Sequence, residues 1–288
     1  MAISILRTIE ELTDHVVRQK ASGRSIGVVP TMGALHEGHL SLVRASLNSV
    51  DETIVTIFVN PTQFAAGEDL GSYPRTLDSD VERLDSLDPS GSIVVFAPAE
   101  DQMYPADCTT RVTAPLIAKK LEGEFRPTHF DGVVLVVLKL LNLTRADLAF
   151  FGQKDFQQVA VIKQMVNDLN VPCKIIVCPI ARDPDGLAMS SRNVYLSASE
   201  REIALSISKT LDHVEKLILG GLRDGFEVIT EMRQALIDAG VDSIDYAVIA
   251  NPVSLETSDP ITLPAVALIA VHVGDTRLID NRIIKDEL

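Results

Sequence analysis

Cysteine is scarce: Cys108, Cys173 and Cys178 are the only three in 288 residues. No two of them form a CxxC pair or another metal spacing, which excludes a zinc ribbon and a disulfide-stapled scaffold. An odd, sparse set with no secretory leader ahead of it predicts reduced thiols and a cytosolic compartment. Basic residues are also in deficit, 26 Lys and Arg against 40 Asp and Glu, for a net charge of −14. That balance argues against a broad nucleic-acid surface, although a local cluster of Lys, Arg and His can still hold an anionic small molecule. No run approaches the roughly 18 apolar residues of a membrane span. The start, MAISILRTIEELTDHVVRQK, reads as an amphipathic helix rather than a signal peptide. The last four residues spell KDEL, but with no entry signal that address is expected to go unread. Two nucleotide-binding fingerprints are missing as well, GxGxxG and GxxxxGK followed by Ser or Thr. No Ser/His/Asp or Cys/His constellation demands a side-chain nucleophile.

The chain does have ample core, at 46% hydrophobic residues, and enough length for one large or two smaller domains. The runs IGVV (26–29), TIVTIFV (53–59), SIVVFA (92–97), DLAFFG (147–152) and CKIIVCPI (173–180) are short, apolar and bounded by turn residues. They predict buried parallel strands. Helical stretches lie between them, with Leu40, Val43 and Leu47 on one face and Val159, Ile162 and Val166 on another. The alternation predicts an α/β fold with a doubly wound, Rossmann-like parallel sheet. Past residue 183 the texture changes. A polar connector, RDPDGLAMSSRN, leads into a long helix with the capping-box pattern Ser197-x-x-Glu200. A second helix and strands around DYAVIAN, AVALIAVHV and TRLIDN follow, an α+β texture. We therefore expect a catalytic domain over 1–183 and a smaller lid domain over 184–288.

Ligands of open parallel sheets bind beyond the C-terminal strand ends. Four unusual segments fall there: PTMGALHEGH, NPTQF, FGQKDFQQ and RDPDGLAMSSRN. In the first, His36 lies in the turn and His39 opens the next helix, whose N-terminus is a ready anion site. That field disfavours imidazolium, so the pair is expected to serve as neutral N–H donors to phosphate. Gly33 and Gly38 would let backbone approach a ligand. The competing reading is a turn whose histidines merely cap a helix. HEGH lacks the HExxH spacing of zinc enzymes.

Asn60 and Gln63 end an apolar strand with amides that both donate and accept, suited to a hydroxy acid. A plain strand end with a Pro turn fits NPTQF as well. Lys154, Asp155 and Gln158 can share one face of a helical first turn, the lysine as a point charge for phosphate. Asp155 would accept from a ribose hydroxyl or orient the lysine. Ser190, Ser191 and Arg192 suit a triphosphate, and an ordinary Ser-rich hinge is the alternative. Arg126 either meets a carboxylate or phosphate or is a surface arginine. Tyr73 either closes over a substrate or anchors a loop.

PTMGALHEGHLSLVRAS resembles the HxGH signature of the nucleotidylyltransferase superfamily, related to class I aminoacyl-tRNA synthetases. Together with FVNPTQF, YPRTLDSD, HFDGV, FGQKDFQQ and RDPDGLAMSSRNVYLS, in order along most of the chain, it is similar to the pantoate–β-alanine ligase (pantothenate synthetase) family. The resemblance implies an ATP-dependent condensation of pantoate with β-alanine through a pantoyl-adenylate, releasing pyrophosphate and AMP, with magnesium accompanying ATP. It assigns ATP to Met32, Gly33, Ala34, Leu35, His36, Glu37, Gly38 and His39, to Gly152, Gln153, Lys154 and Asp155, to backbone near Ala181, and to Met189, Ser190, Ser191 and Arg192. His36, His39, Lys154, Ser190, Ser191 and Arg192 are the candidate catalytic groups, with His39 usually labelled the proton donor in the family. MSSR looks like the counterpart of the KMSKS loop of related enzymes. The resemblance further implies that Gln63 takes pantoate and β-alanine, that Gln158 takes pantoate, and that the chain forms a homodimer. Asn60, Tyr73 and Arg126 complete the candidate substrate set. Departures from the family pattern fall at Asp131 and at Asp78-Ser79-Asp80, so no protein ligand is assigned to magnesium. The competing activity is simple nucleotidylyl transfer to another small acceptor.

Overall fold

The computed structural model describes residues 3–65, 67–68, 70–88 and 90–286. Met1 and Ala2 of the expected N-terminal helix, and Glu287 and Leu288 of the KDEL stretch, lie outside the described residues. The chain divides into two compact units, Met1–Gly152 with Gln158–Pro179, and Gln153–Gln157 with Ile180–Leu288.

In the first unit six strands build one sheet: β1 (Ser4–Leu6), β2 (Ile26–Thr31), β3 (Glu52–Ile57), β4 (Ile93–Phe96), β5 (Leu148–Gly152) and β6 (Lys174–Cys178). Their order is β1-β4-β3-β2-β5-β6, and every pairing is parallel. The connecting helices are α1 (Ile9–Ala21), α2 (Glu37–Leu47), α3 (Leu77–Asp85), α4 (Glu100–Met103), α5 (Glu122–Phe125), α6 (His129–Thr144) and α7 (Phe156–Asp168). Successive strand residues point to opposite faces. Val28, Ile54, Phe96 and Phe151 thus join one apolar cluster with Leu12, Val133 and Ile162. Val29, Val55, Val95 and Phe150 join another with Leu40, Val43 and Leu84. Each such side chain contributes about 1.5–3 kcal/mol by leaving water, and because both faces are covered the strands read as mainly apolar runs.

The first helix begins later than the amphipathic pattern suggested. Ser4 to Leu6 pair with Val94 to Phe96 as an edge strand. Helix α1 then starts after Thr8, whose hydroxyl accepts from Glu11 N while the Glu11 carboxylate accepts from Thr8 N. That capping box fixes the start.

Leaving β2, the chain winds through β3 and β4 on one side, then crosses to β5 on the other side of β2. The C-terminal ends of β2 and β5 therefore flank the point where strand order reverses, the place where doubly wound sheets bind ligands.

The second unit holds α8 (Ala198–Leu219), α9 (Gly225–Asp238) and an antiparallel sheet of β7 (Ser243–Ala250), β8 (Ala265–Val273) and β9 (Thr276–Ile284), in that order. Leu211, Val214 and Ile218 of α8 and Met232 and Leu236 of α9 bury against Ala267, Ile269 and Val271. The Ser197–Glu200 capping box is present, with both reciprocal bonds made. Among the described residues the three cysteines are free thiols, and no helix is long and apolar enough to cross a membrane.

Candidate active site

The segment after β2 makes a left-handed turn before α2. Gly33 has φ +84° and Ala34 φ +50°, backbone that a non-glycine residue holds only when its surroundings impose it. Here Asp80, 1% exposed on α3, imposes it. Its carboxylate accepts from Ala34 N at 3.0 Å, from Leu35 N at 2.7 Å and from Thr76 Oγ1 at 3.2 Å. A side chain on Gly33 would come within 3.1 Å of that same carboxylate. The Asp78-Ser79-Asp80 stretch thus contains a loop anchor.

The two histidines do cap the helix, and this sets their chemistry. His36 is the N-cap of α2, and its Nδ1 accepts from Gly38 N at 3.1 Å. His39 Nδ1 accepts from His36 N at 3.4 Å. A ring nitrogen that accepts carries no proton, so in each neutral imidazole the proton resides on Nε2. The rings lie 4.1 Å apart between centroids. Glu37, on the outer side of the same turn, pairs with Arg44.

The segment after β3 packs directly against this turn. Gln63 Nε2 donates to Met32 Sδ at 3.2 Å, and Gln63 Oε1 accepts from Asn60 Nδ2 at 3.0 Å. Asn60 is 1% exposed. Its other donor bond goes to Gly132 O, and its oxygen accepts from Thr62 and from Tyr104 OH. Gly132 is the glycine of HFDGV, and any Cβ there would strike Thr62 O at 2.3 Å. That block of sequence is a contact between helix backbone and the NPTQ turn.

Arg126 is a half-buried residue rather than a surface arginine. Its guanidinium forks onto Glu68 with two bonds of 2.7 Å. Burial alone would raise the Glu68 carboxyl, but the fork and charge of Arg126 outweigh it and hold the group low. His129 Nδ1 donates to Gln63 O at 2.9 Å, leaving Nε2 to accept from Arg126 Nη1 at 3.3 Å. Burial, then the charge of Arg126, push His129 down to about 4. A base held neutral binds fewer protons folded than unfolded between about pH 4 and 6.5. Stability is therefore expected to fall by roughly 3 kcal/mol as pH drops through that window. Denaturant melts at pH 7.5 and 5 should show about 2 kcal/mol of that loss, and His129→Asn should remove most of it. Tyr73 is buried edge-on against Phe64, 6.0 Å between centroids, as a loop anchor would be.

Gly152 closes β5 opposite Cys178 of β6. The expectation that Lys154 and Asp155 sit on a helix is corrected, because α7 begins at Phe156. The carbonyls of Gln153 and Lys154, ahead of that start, both accept from Asn281. Lys154 Nζ lies 4.0 Å from Asp155 Oδ1 in the turn, and Gln158 follows half-buried in α7.

In the second unit, Met189 N donates to Ala181 O at 2.9 Å across a hairpin closed by an Arg182–Ala188 bridge. Ser190 caps the 3-10 turn Ser191–Tyr195, its hydroxyl accepting from Arg192 N at 3.3 Å. The candidates thus fall into local groups. Met32 to His39 join Asn60, Gln63 and Arg126 in the first unit, and Ala181 joins Met189 to Arg192 in the second. Asp80, His129, Asp280 and Asn281 support these groups without having been singled out as site residues. For Asp80 a signal existed, an acid four residues after Thr76 at a helix start.

Among the described residues no three His, Cys, Asp or Glu side chains cluster as a metal site. What the first unit offers instead is a pair of fixed N–H donors at a helix N-terminus beside an anchored amide, at the strand-order reversal of a parallel sheet.

Comparison with known proteins agrees along the whole chain. The family described as Pantoate-beta-alanine ligase matches residues 4–283. A pantothenate synthetase of Thermoanaerobacter sp. (strain X514) is 48% identical over 273 residues, 95% of each chain. That of Rhodopirellula baltica is 51% identical over 269 residues, 92% of this chain and 93% of the relative. The crystal structure of pantothenate synthetase from Thermus thermophilus superposes with a TM-score of 0.91 at 35% identity, covering 99% of this chain and all of the other. The Francisella tularensis pantoate-beta-alanine ligase, solved with Beta-gamma ATP and Beta-alanine, gives 0.81 at 37% identity, over 98% of both chains. With identity this high over nearly every residue, the chain belongs to the pantoate–β-alanine ligase family.

Proposed function

We propose that this protein condenses pantoate with β-alanine using ATP. A pantoate carboxylate oxygen attacks the α-phosphorus, the bond to the bridging oxygen of pyrophosphate breaks, and a pantoyl-adenylate forms. The β-alanine amine then attacks the acyl carbon, and AMP leaves as the amide forms. A carboxylate is a poor acyl donor, and attachment of AMP supplies its leaving group. No side-chain nucleophile is required.

The observation that carries this reading is the contact of Gln63 with Met32, which joins the phosphate-donor turn to an amide suited to a hydroxy acid. In this proposal His36 and His39 donate Nε2–H to the phosphates, where charge grows as pyrophosphate leaves. The family likeness also assigns Lys154, Ser190, Ser191 and Arg192 to phosphate, and Gly152, Gln153, Asp155, Ala181 and Met189 to the nucleotide. Gln63 and Gln158 bind the acids, with Asn60 fixing Gln63. Arg126 attracts a carboxylate, in competition with Glu68. The relative solved with Beta-gamma ATP and Beta-alanine supports two of the three substrates. Magnesium enters as part of the ATP complex, held by phosphate and water as this small ion usually is. Both Asp80 oxygens already accept backbone N–H bonds, which supports that assignment. The family likeness extends the proposal to a cytoplasmic homodimer whose smaller second domain closes during turnover. Transfer of a nucleotidyl group to some other acceptor is not favoured, given the family.

The test is ATP–pyrophosphate exchange with Mg²⁺. Exchange should require pantoate, and addition of β-alanine should convert it to AMP release. Exchange that proceeds without pantoate would sink the substrate assignment.

A further inference from the structure

Strand β9 gives two consecutive side chains separate tasks. Asn281 is 1% exposed. Its Nδ2 donates to Gln153 O at 3.0 Å and Lys154 O at 2.9 Å, while its Oδ1 accepts from Gln153 Nε2 at 3.2 Å. Asp280, 4% exposed, forks onto Arg182 at 2.7 and 3.0 Å. Arg182 Nη1 also donates to Gly186 O at 3.1 Å, inside the hairpin that pairs Ala181 with Met189. Neighbouring strand residues face opposite ways, so one dipeptide can grip two segments.

We infer that Asn281 and Asp280 are positioning residues for ATP, Asn281 by fixing the turn that presents Lys154 and Asp280 by fixing the hairpin that leads to Met189–Arg192. The inference rests on the ligase reading for its reaction. Lysine is a flexible point charge, useful in a transition state only when its backbone is held. Gln153 O and Lys154 O are the carbonyls that would accept from residues 157 and 158 if α7 ran one turn further back. By bonding both, Asn281 ties the backbone of the Lys154 turn to β9. A buried ion pair such as Arg182–Asp280 is no more stabilising than apolar packing of the same volume. Its consequence here is geometric, since the guanidinium fork fixes where the hairpin lies.

The test is exchange kinetics and ATP calorimetry on wild type, Asn281→Ala, Asn281→Asp, Lys154→Ala and the Lys154→Ala/Asn281→Ala double variant. Asn281→Ala should lower the exchange kcat roughly 30-fold and weaken ATP roughly 10-fold, with KM for pantoate within about twofold. In the Lys154→Ala background the same change should cost less than about twofold, because residues acting through one another are not additive. Asn281→Asp keeps the shape but opposes two carbonyls with oxygen; it should match Asn281→Ala, and it carries the test if the alanine variant does not fold. Losses that multiply in the double variant would overturn the inference, as would wild-type kinetics in the single one. If wild type bound ATP but gave no pantoate-dependent exchange, the ligase reading would fall. The same non-additivity in ATP affinity would still decide the positioning role.

Discussion

Replacing His39 by alanine is expected to lower ATP–pyrophosphate exchange by a factor on the order of 10²–10³, the usual cost of losing one fixed donor to developing charge. The affinity for ATP should change only a few-fold, because the bond tightens as pyrophosphate leaves rather than on binding. The fold should survive. The cap bond of His39 is long, 3.4 Å to His36 N, and the loss of a cap bond costs about 1 kcal/mol. His39→Gln, which can place an amide N–H near the former Nε2, should recover at least about tenfold of the lost rate. A neutral donor also makes a statement about pH. With Nδ1 accepting a backbone bond, protonating the ring would forfeit that bond and set a cation at the positive end of α2. Exchange should therefore not decline as pH rises through the ordinary histidine range near 6.5. Such a decline, absent from the His39→Gln enzyme, would identify an imidazolium acid instead, as would near-wild-type exchange in His39→Ala identify a dispensable cap.

The frame of this site was legible where local chemistry decides structure. IGVV and TIVTI are strands because both their faces are buried, so apolar residues dominate them and even Thr53 and Thr56 are out of water. Ser197-x-x-Glu200 announces its helix because the cap is made by residues three apart. What could not be read comes from partners distant in the chain. Asn281 reaches back 127 positions to Lys154 O, and the turn it holds lies ahead of the helix that the spacing of Lys154, Asp155 and Gln158 suggested. HFDGV stood out only as a family block, and the tasks of His129 and Gly132 in it emerge once α6 is laid against the NPTQ turn. The histidine pair shows a third situation. Capping and phosphate donation were rival readings of HEGH, yet the capping bonds are what select the tautomer needed for donation.

Asp80→Ala should be the most damaging change to the resting protein. It strands the N–H groups of Ala34 and Leu35, both bonded to a buried carboxylate. Bonds to a charged group contribute about 1.5–3 kcal/mol each, so the loss should reach roughly 3–5 kcal/mol. For a chain of this size that lowers Tm by about 10 °C. Asp80→Asn retains one acceptor and should lose about half as much. Activity should follow for a separate reason. Ala34 has φ +50°, a conformation costing about 1–3 kcal/mol that relaxes once its bond is gone. Relaxation would carry His36 off the cap position, and exchange should fall roughly 100-fold, since misplacement of about 1 Å has that effect. An acid in a phosphate-binding enzyme invites the alternative of a magnesium ligand. The two roles separate cleanly in thermal melts without ATP or Mg²⁺. A magnesium ligand would leave the apo melt unchanged and its activity would return at high Mg²⁺. The anchor described here predicts a large apo Tm loss that added Mg²⁺ does not restore.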